Sequence, residues 1–459
     1  MQDTESLAGF DGRAEPGHPT GLIAEWVASA SRMHLGGTAL TWAKHALLDW
    51  SAVTSAGARD PMVTMLMDEY VDTYGGACSL LGTGATARPL EAALINGCAG
   101  HALDFDDVSS RMVGHPTAPV APAALAMAQA HGATGLELLR AIIVGHEVEA
   151  RIGELLGSSH YQKGFHTTGT IGSFGAAAAC AALKGLEVRA VRNALGLAAT
   201  QAAGLKCMFG TMAKPLHAGK AAMNGVMAVQ LAARGFTAHE SAIECEQGFA
   251  RTQAMELGAA CLAIDTHRSF AIESTLFKYH AACYLTHAVI EATQSARRRH
   301  ALDLNAMASM TLTVSEGHRG VCDITSPQTG LNLKFAIQHL AALALDGADT
   351  ASLALYTDQA ACDPRYVEAR QRVALHTSAS CRRHQAMVTI HTRDGRKIHE
   401  EADVGVPASD LPMQWARLVA KAETIAAPVI GQQRFKQLVA AIDTLDQSPS
   451  LQPFMEAIA

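Results

Sequence analysis

Four polar clusters interrupt an otherwise apolar chain, and each carries groups able to move a proton or hold an anion. The densest is His101-Ala-Leu-Asp104-Phe-Asp106-Asp107, followed by His115-Pro116-Thr117. Carboxylates beside histidines are the parts of a general acid–base pair. They are equally the parts of a charged turn with a loop histidine. The DxDD string also matches the magnesium-holding acids of prenyl-chain enzymes, but no second acidic motif accompanies it. The second cluster runs from Gly164 through His166, Thr167 and Thr168 to Ser173, ahead of a long apolar run. Such a helix start offers backbone N–H groups to a carboxylate, with His166 at its rim. It is also an ordinary helix cap with an incidental histidine. In the third, Lys214, His217 and Lys220 sit among small apolar residues. A lysine there must reach water or find an anion. Lys214 precedes Pro215, a helix-opening residue, and could point into a cleft and hold a carboxylate. The fourth, Lys278 to His287, contains Cys283 and the pair His280 and His287. Its spacing matches no recognised metal site, and the two histidines, seven apart, would share one helix face.

The elements that must position these groups are mostly helices. Leu22, Ile23, Trp26, Val27 and Ala30 recur at three- and four-residue spacing. Similar periodicity predicts helices over 39–56, 90–103, 119–131, 135–156, 172–183, 188–203 and 218–234, and a brief one over 238–244. After about residue 305 the texture changes. Met310–Val314 and Arg372–His376 alternate and are rich in β formers. Met387–Thr392 and Lys397-Ile398 read as a hairpin about Asp394-Gly395, a dipeptide that supplies positive φ angles. Helical stretches at 334–345 and 349–358 lie between these strands. Helix resumes with Ser409 as N-cap before Leu411–Thr424, then over Phe435–Leu445. The expected class is mainly α with an inserted α+β lid. Its divisions are a flexible leader at 1–19, a helical domain at 20–272, a lid at 273–407 and returning helices at 408–459. A cleft between two such domains is a usual small-molecule site.

Composition narrows the function classes. Of 459 residues, 49% are hydrophobic and 17% charged, which excludes a charge-solvated disordered chain. Aromatics are 5% and Gly numbers 39, so small residues favour closely packed helices. The net charge of −7 lacks the basic footprint of a nucleic-acid binder. The ten cysteines include no CxxC pair and read as small buried hydrophobes of a reducing compartment. The polar start lacks the basic and apolar regions of a signal peptide. The Ala-rich run Ile171–Leu183 is too short to span a bilayer. A cytoplasmic location is the expectation.

Taken together and in order, Gly100–Asp107, His115–Thr117, His166–Gly175, Lys214–Gly219 and Lys278–His287 resemble the MmgE/PrpD family. It includes 2-methylcitrate dehydratases, cis-aconitate decarboxylases and iminodisuccinate epimerase. The resemblance spans nearly the whole chain from about residue 20. It implies a large helical domain with a smaller α/β lid, a homodimer, and a small polycarboxylate substrate handled with neither metal nor organic cofactor. It carries over Asp104, His115, His166 and Lys214 as catalytic residues. It points to His101, Thr168, Lys214, Lys278, Cys283 and His339 as substrate-binding. Three positions depart from the decarboxylase branch: Val108 stands in place of Thr, Cys283 in place of His, and His339 in place of Tyr. The implied function is a cofactor-independent lyase, a dehydratase or decarboxylase of a substrate such as 2-methylcitrate or cis-aconitate, with histidines moving a proton next to a carboxylate. The alternatives are an epimerase of a small polycarboxylate, or a silent homologue that only binds or scaffolds.

Overall fold

The computed structural model describes residues 19–72, 75–258 and 269–458. Residues 1–18 of the expected leader, and Cys261, lie outside them. Nine helices build the first half: α1 (Pro19–Ala28), α2 (Gly37–Gly57), α3 (Pro61–Tyr70), α4 (Pro89–Ala102), α5 (Thr117–His131), α6 (Gly135–Gln162), α7 (Thr167–Lys184), α8 (Val188–Gln201) and α9 (Ala213–Ala232). A two-residue pair, β1 (Cys78–Ser79) and β2 (Thr86–Ala87), bridges antiparallel ahead of α4. The starts are legible locally. Pro opens α3 and α4, and Thr134 and Glu137 close a capping box on α6.

Small residues let these helices approach backbone to backbone. A Cβ at Gly97 of α4 would lie 2.6 Å from the Gly219 Cα of α9, and one at Gly175 of α7 would lie 2.4 Å from Glu149 Cγ of α6. The short helix α10 (Phe249–Gln253) follows. Residues 238–244 form turns, not the expected helix, and the Ser241 N–H donates to the His239 ring. That local side-chain bond competes with helix formation.

The second half holds α11 (His287–His300), β3 (Met307–Val314), α12 (Gly330–Leu333), α13 (Ile337–Asp346), α14 (Asp358–Cys362), α15 (Pro364–Gln371), β4 (Val373–Thr377), β5 (Gln385–Thr392) and β6 (Lys397–Asp403). The sheet order is β4-β3-β5-β6. β3 pairs parallel with β4, Met310 opposite Val373, and antiparallel with β5, Leu312 opposite Val388. Met310, Leu312, Val388 and Ile390 are buried, as period-two alternation requires. The β5–β6 turn has positive φ at Gly395 but not at Asp394, so one glycine supplies the left-handed residue. Residues 349–358 are turns and a 3₁₀ segment instead of a helix. There the Asp349 carboxylate accepts the Ala351 N–H and Thr357 caps α14.

Three helices close the chain: α16 (Leu411–Ile430), α17 (Gln432–Asp443) and α18 (Gln452–Ile458). Asp410, not Ser409, caps α16, its carboxylate accepting the Met413 N–H. α16 returns to the helical half, where Leu418, Ala422 and Ile425 join Trp42 and Leu47 of α2 in one apolar cluster. The class is therefore mainly α with a smaller α/β region. No helix among the described residues is long and apolar enough to cross a membrane.

Candidate active site

The loop between α4 and α5 is the centre of the site. It leaves α4 at His101 and turns at Asp104, whose φ is 51°. Val113, at φ 55°, turns it back. Positive φ is uncommon for Asp and a true outlier for a β-branched residue, at a cost of about 1–3 kcal/mol each. Tertiary bonds hold the loop: Val108 exchanges backbone hydrogen bonds with Leu276, and the Thr167 hydroxyl donates to the Val113 carbonyl at 2.6 Å. The His115 N–H donates to the Thr168 hydroxyl at 3.1 Å.

Around this loop three helices begin. His115 precedes α5, His166 is the N-cap of α7, and Lys214 is the second residue of α9. Each helix start carries partial positive charge. Asp107 uses one of them, its carboxylate accepting the N–H of Thr117 at 3.3 Å and its hydroxyl at 2.5 Å.

Two lysines converge on Asp104 Oδ1, Lys214 Nζ at 2.9 Å and Lys278 Nζ at 3.0 Å. Lys278 also donates to the Asp104 carbonyl at 2.6 Å and is buried. Burial alone would raise the Asp104 carboxyl, but the two ammonium groups outweigh it and hold it well below the usual range. Its side chain is still 41% exposed, so the cluster opens outward. Behind it, Asp106 Oδ2 lies 2.8 Å from His101 Nδ1 and 3.2 Å from His115 Nδ1. The other nitrogen of His115 is 3.6 Å from Asp104 Oδ1. The His101 and His166 rings stack at 5.7 Å, and His166 Nδ1 is 2.9 Å from His217 Nδ1. Burial lowers His101 to about 4 despite Asp106. Burial, then His101 and Lys214, drive His166 further down. Both rings are neutral at pH 7, so the His166–His217 contact has one N–H and one lone pair.

The MmgE/PrpD N-terminal domain matches residues 21–256, and the MmgE/PrpD C-terminal domain matches residues 280–446. The chain belongs to the MmgE/PrpD family. Among its relatives is a protein named cis-aconitate decarboxylase from Aspergillus terreus (strain NIH 2624 / FGSC A1156), 26% identical over 96% of this chain and 95% of the relative. A cis-aconitate decarboxylase from Homo sapiens is 32% identical over 46% of this chain and 45% of its own. A cis-aconitate decarboxylase-like protein from Aspergillus oryzae (strain ATCC 42149 / RIB 40) is 28% identical over 65% of this chain.

Within this family site, direct contacts bring together Asp104, His115, Lys214, Lys278, His101 and His166. Thr168 takes part through its bond to the His115 backbone. Cys283 is close enough for Lys278 and Asp104 to act on its thiol, and a hydrogen bond with Cys322 lowers that thiol against burial. His339 is buried on α13, with Nδ1 3.3 Å from an Arg370 guanidinium nitrogen and its ring 5.8 Å from Tyr366, both residues of α15. His280 and His287 do not share a helix, since His280 precedes α11, and their rings meet edge-on at 4.9 Å instead. A separate cavity of about 240 Å³, lined by Tyr284, His287 and Arg417 among others, shares no lining residue with the cluster. Its three acids are already engaged: Glu291 by Arg417 and His280, Asp403 by Arg382, and Asp410 as the cap of α16.

Three further residues join the cluster. Asp106 and His217 stand inside the sequence clusters without a role assigned to them, Asp106 as one acid among three. His217 stands three residues after Lys214, a spacing that places both on one helix face. Lys334 had no local signal, because only tertiary folding brings it near. Burial lowers it, Asp104 raises it, and Lys278 and Lys214 lower it again.

His101, Asp106 and His115 could also hold a metal, their ligand atoms lying within 4.8 Å of one another. Repulsion from Lys214 and Lys278 opposes a cation there. What the arrangement suits better is an anion: two ammonium groups on one carboxylate, helix starts behind them, and neutral imidazoles alongside.

Proposed function

We propose that this protein is a cofactor-independent lyase acting on a small di- or tricarboxylate. The observation that carries it is the convergence of Lys214 and Lys278 on a single carboxylate oxygen of the partly exposed Asp104, beside the His101, His115 and His166 imidazoles. Lys214, Lys278 and Lys334 together hold more positive charge than Asp104 and Asp106 neutralise, so a substrate carboxylate completes the balance. His115 and His166 then stand where a proton must leave or arrive. The names of the relatives support decarboxylation of cis-aconitate or a close analogue. In that reaction the bond from carbon to one carboxylate breaks, carbon dioxide departs, and the electron pair stays on the carbon skeleton. A histidine that has first taken a proton from solvent delivers it to that carbon and ends neutral, so the proton and the electron pair balance. Holding the substrate with its reacting carbon near a fixed proton donor supplies the orientation the step needs.

Val108 and Cys283, in place of the decarboxylase branch's Thr and His, support dehydration as a second reading. There a histidine removes the proton next to a carboxylate, and a protonated hydroxyl leaves as water, as for 2-methylcitrate. Epimerisation would stop after the proton is returned to the opposite face.

One experiment separates these. The protein is incubated in deuterated water with citrate, 2-methylcitrate, cis- and trans-aconitate and iminodisuccinate, and products are followed by NMR. Carbon dioxide release marks a decarboxylase, an alkene without carbon loss a dehydratase, and deuterium gain alone an epimerase. No turnover of any of the five would overturn the proposal and leave a binding or scaffolding homologue.

A further inference from the structure

The least explained charge in the cluster is Asp106. Its residue is 1% exposed, and Oδ1 is buried without a hydrogen-bond partner among the described residues. A buried ionised carboxylate is retained only when its surroundings repay the lost hydration. Its repayment is unusual: one oxygen, Oδ2, faces the Nδ1 atoms of two different histidines, His101 at the end of α4 and His115 ahead of α5. An ionised carboxylate is an acceptor only, so each imidazole must present N–H to it.

We infer that Asp106 is a positioning residue which fixes both His101 and His115 as Nδ1–H tautomers and so turns the bare Nε2 of His115 toward Asp104 and the substrate. The inference rests on the proposed lyase reading for what that nitrogen does, but not for the tautomer itself. On the far side, His115 Nε2 is 3.6 Å from Asp104 Oδ1, beyond hydrogen-bond distance, so Asp104, whose Oδ1 already accepts from Lys214 and Lys278, does not itself demand an N–H there. The His115–Asp106 contact is in ion-pair range but not aligned as a finished hydrogen bond. Catalytic hydrogen bonds often tighten only when substrate is bound. His115 is otherwise held by its backbone bond to Thr168 and by edge-on packing of its ring on His101 at 4.6 Å, contacts that place the ring but do not choose its tautomer, which is left to Asp106.

Other charges act on Asp106. Asp49 of α2 and the neighbouring Asp107 interact with it unfavourably, while Lys278 and Lys421 of α16 interact favourably. Burial would raise its carboxyl, but His101 and His115 hold it well below the usual range.

Asp106→Asn tests this. The amide can accept from one imidazole but must donate to the other, so one ring is forced into the opposite tautomer. On the substrate identified by the NMR screen, kcat should fall about 10²–10⁴-fold, the range a positioned proton-transfer group contributes. KM should stay within about threefold, because no substrate-binding group is removed. In a His115→Ala background the same change should cost less than about threefold more, because the two residues act as one unit. A full second loss in the double variant would overturn the inference while leaving the lyase reading intact. Retained activity in both His115→Ala and Asp106→Asn would overturn both. Should Asp106→Asn not fold, ¹⁵N NMR of histidine-labelled wild-type protein, assigned with His115→Ala, reads the tautomer directly. A proton on Nδ1 and a bare Nε2 at His115 is the expected result, and the reverse tautomer overturns the inference.

Discussion

At Asp104 two ammonium groups share one carboxylate oxygen, and this decides what its mutants should show. Lys214→Ala leaves Asp104 paired with Lys278, so the fold should survive. What disappears is a charge-assisted hydrogen bond to the substrate, worth about 1.5–3 kcal/mol, or roughly ten- to more than hundredfold in kcat/KM. Steady-state kinetics check it, and a change within about twofold would make the lysine structural. His115→Ala and His166→Ala should instead lower kcat more than affinity, since a proton-transfer group acts in the chemical step rather than in binding. The triad of His101, Asp106 and His115 invites a further measurement. Exhaustive chelation should leave turnover unchanged, because the two lysines beside the triad repel a cation. Activity lost to a chelator and restored by Zn²⁺ would show that the metal wins over that repulsion.

At the scale of elements, the site is made where helices start. α7 and α9 each deliver one functional side chain in or just before the first turn, and α5 begins one residue after the His115-Pro116 pair. Those starts are held together by glycine contacts inside the bundle, so packing and catalysis are linked. Gly97→Val would drive a side chain into the Gly219 backbone 2.6 Å from its Cβ. Overpacking of this kind costs about 1–3 kcal/mol or more. It should lower Tm by several degrees and loosen α4 and α9, which carry His101 and Lys214. Gly37→Ala at the start of α2, where nothing lies within 4 Å and φ is ordinary, should leave Tm within about a degree. Equal Tm for the two variants, read by scanning fluorimetry, would contradict the close approach. The helices themselves were legible because apolar periodicity survives in every local window. The 238–244 and 349–358 segments were misread because side-chain bonds to nearby backbone compete with helix there without disturbing the pattern.

Across the whole molecule, stability should follow the histidines. Burial lowers His45, His101, His339 and His384 to about 4 and His146 to about 3, from 6.5. Between pH 6.5 and 4 the unfolded chain therefore binds protons that the folded chain refuses. Their contribution is fully present above pH 6.5 and is lost on acidification. Asp49, raised by burial to about 6, works in the opposite direction between 3.8 and 6. So do Asp107 and Glu149, which burial also raises. These five histidines, with His166 and His287 pushed lower still by burial, outweigh the three acids over the upper part of the window, so Tm should fall from pH 7 to pH 5. A Tm that held or rose on acidification would show the acids dominating.

The amino-acid order by itself determined the class of fold and the residue types of the candidate site. Helical periodicity, the β-rich texture after residue 305 and the clustered His, Asp and Lys residues are all local signals. What only the tertiary structure decided was which of those groups meet. Lys278 is 174 residues from Asp104 in sequence and donates to it, whereas His339, a matching residue type on a helix, turns its face to α15 and Arg370. The reason is physical: side-chain direction on a helix follows from which face is buried, and that is settled by the partner helix rather than by the local sequence. The same holds for Asp106. Local sequence makes it one acid among three, and only the fold, by bringing His101 and His115 to the same oxygen, sets it apart from Asp104 and Asp107.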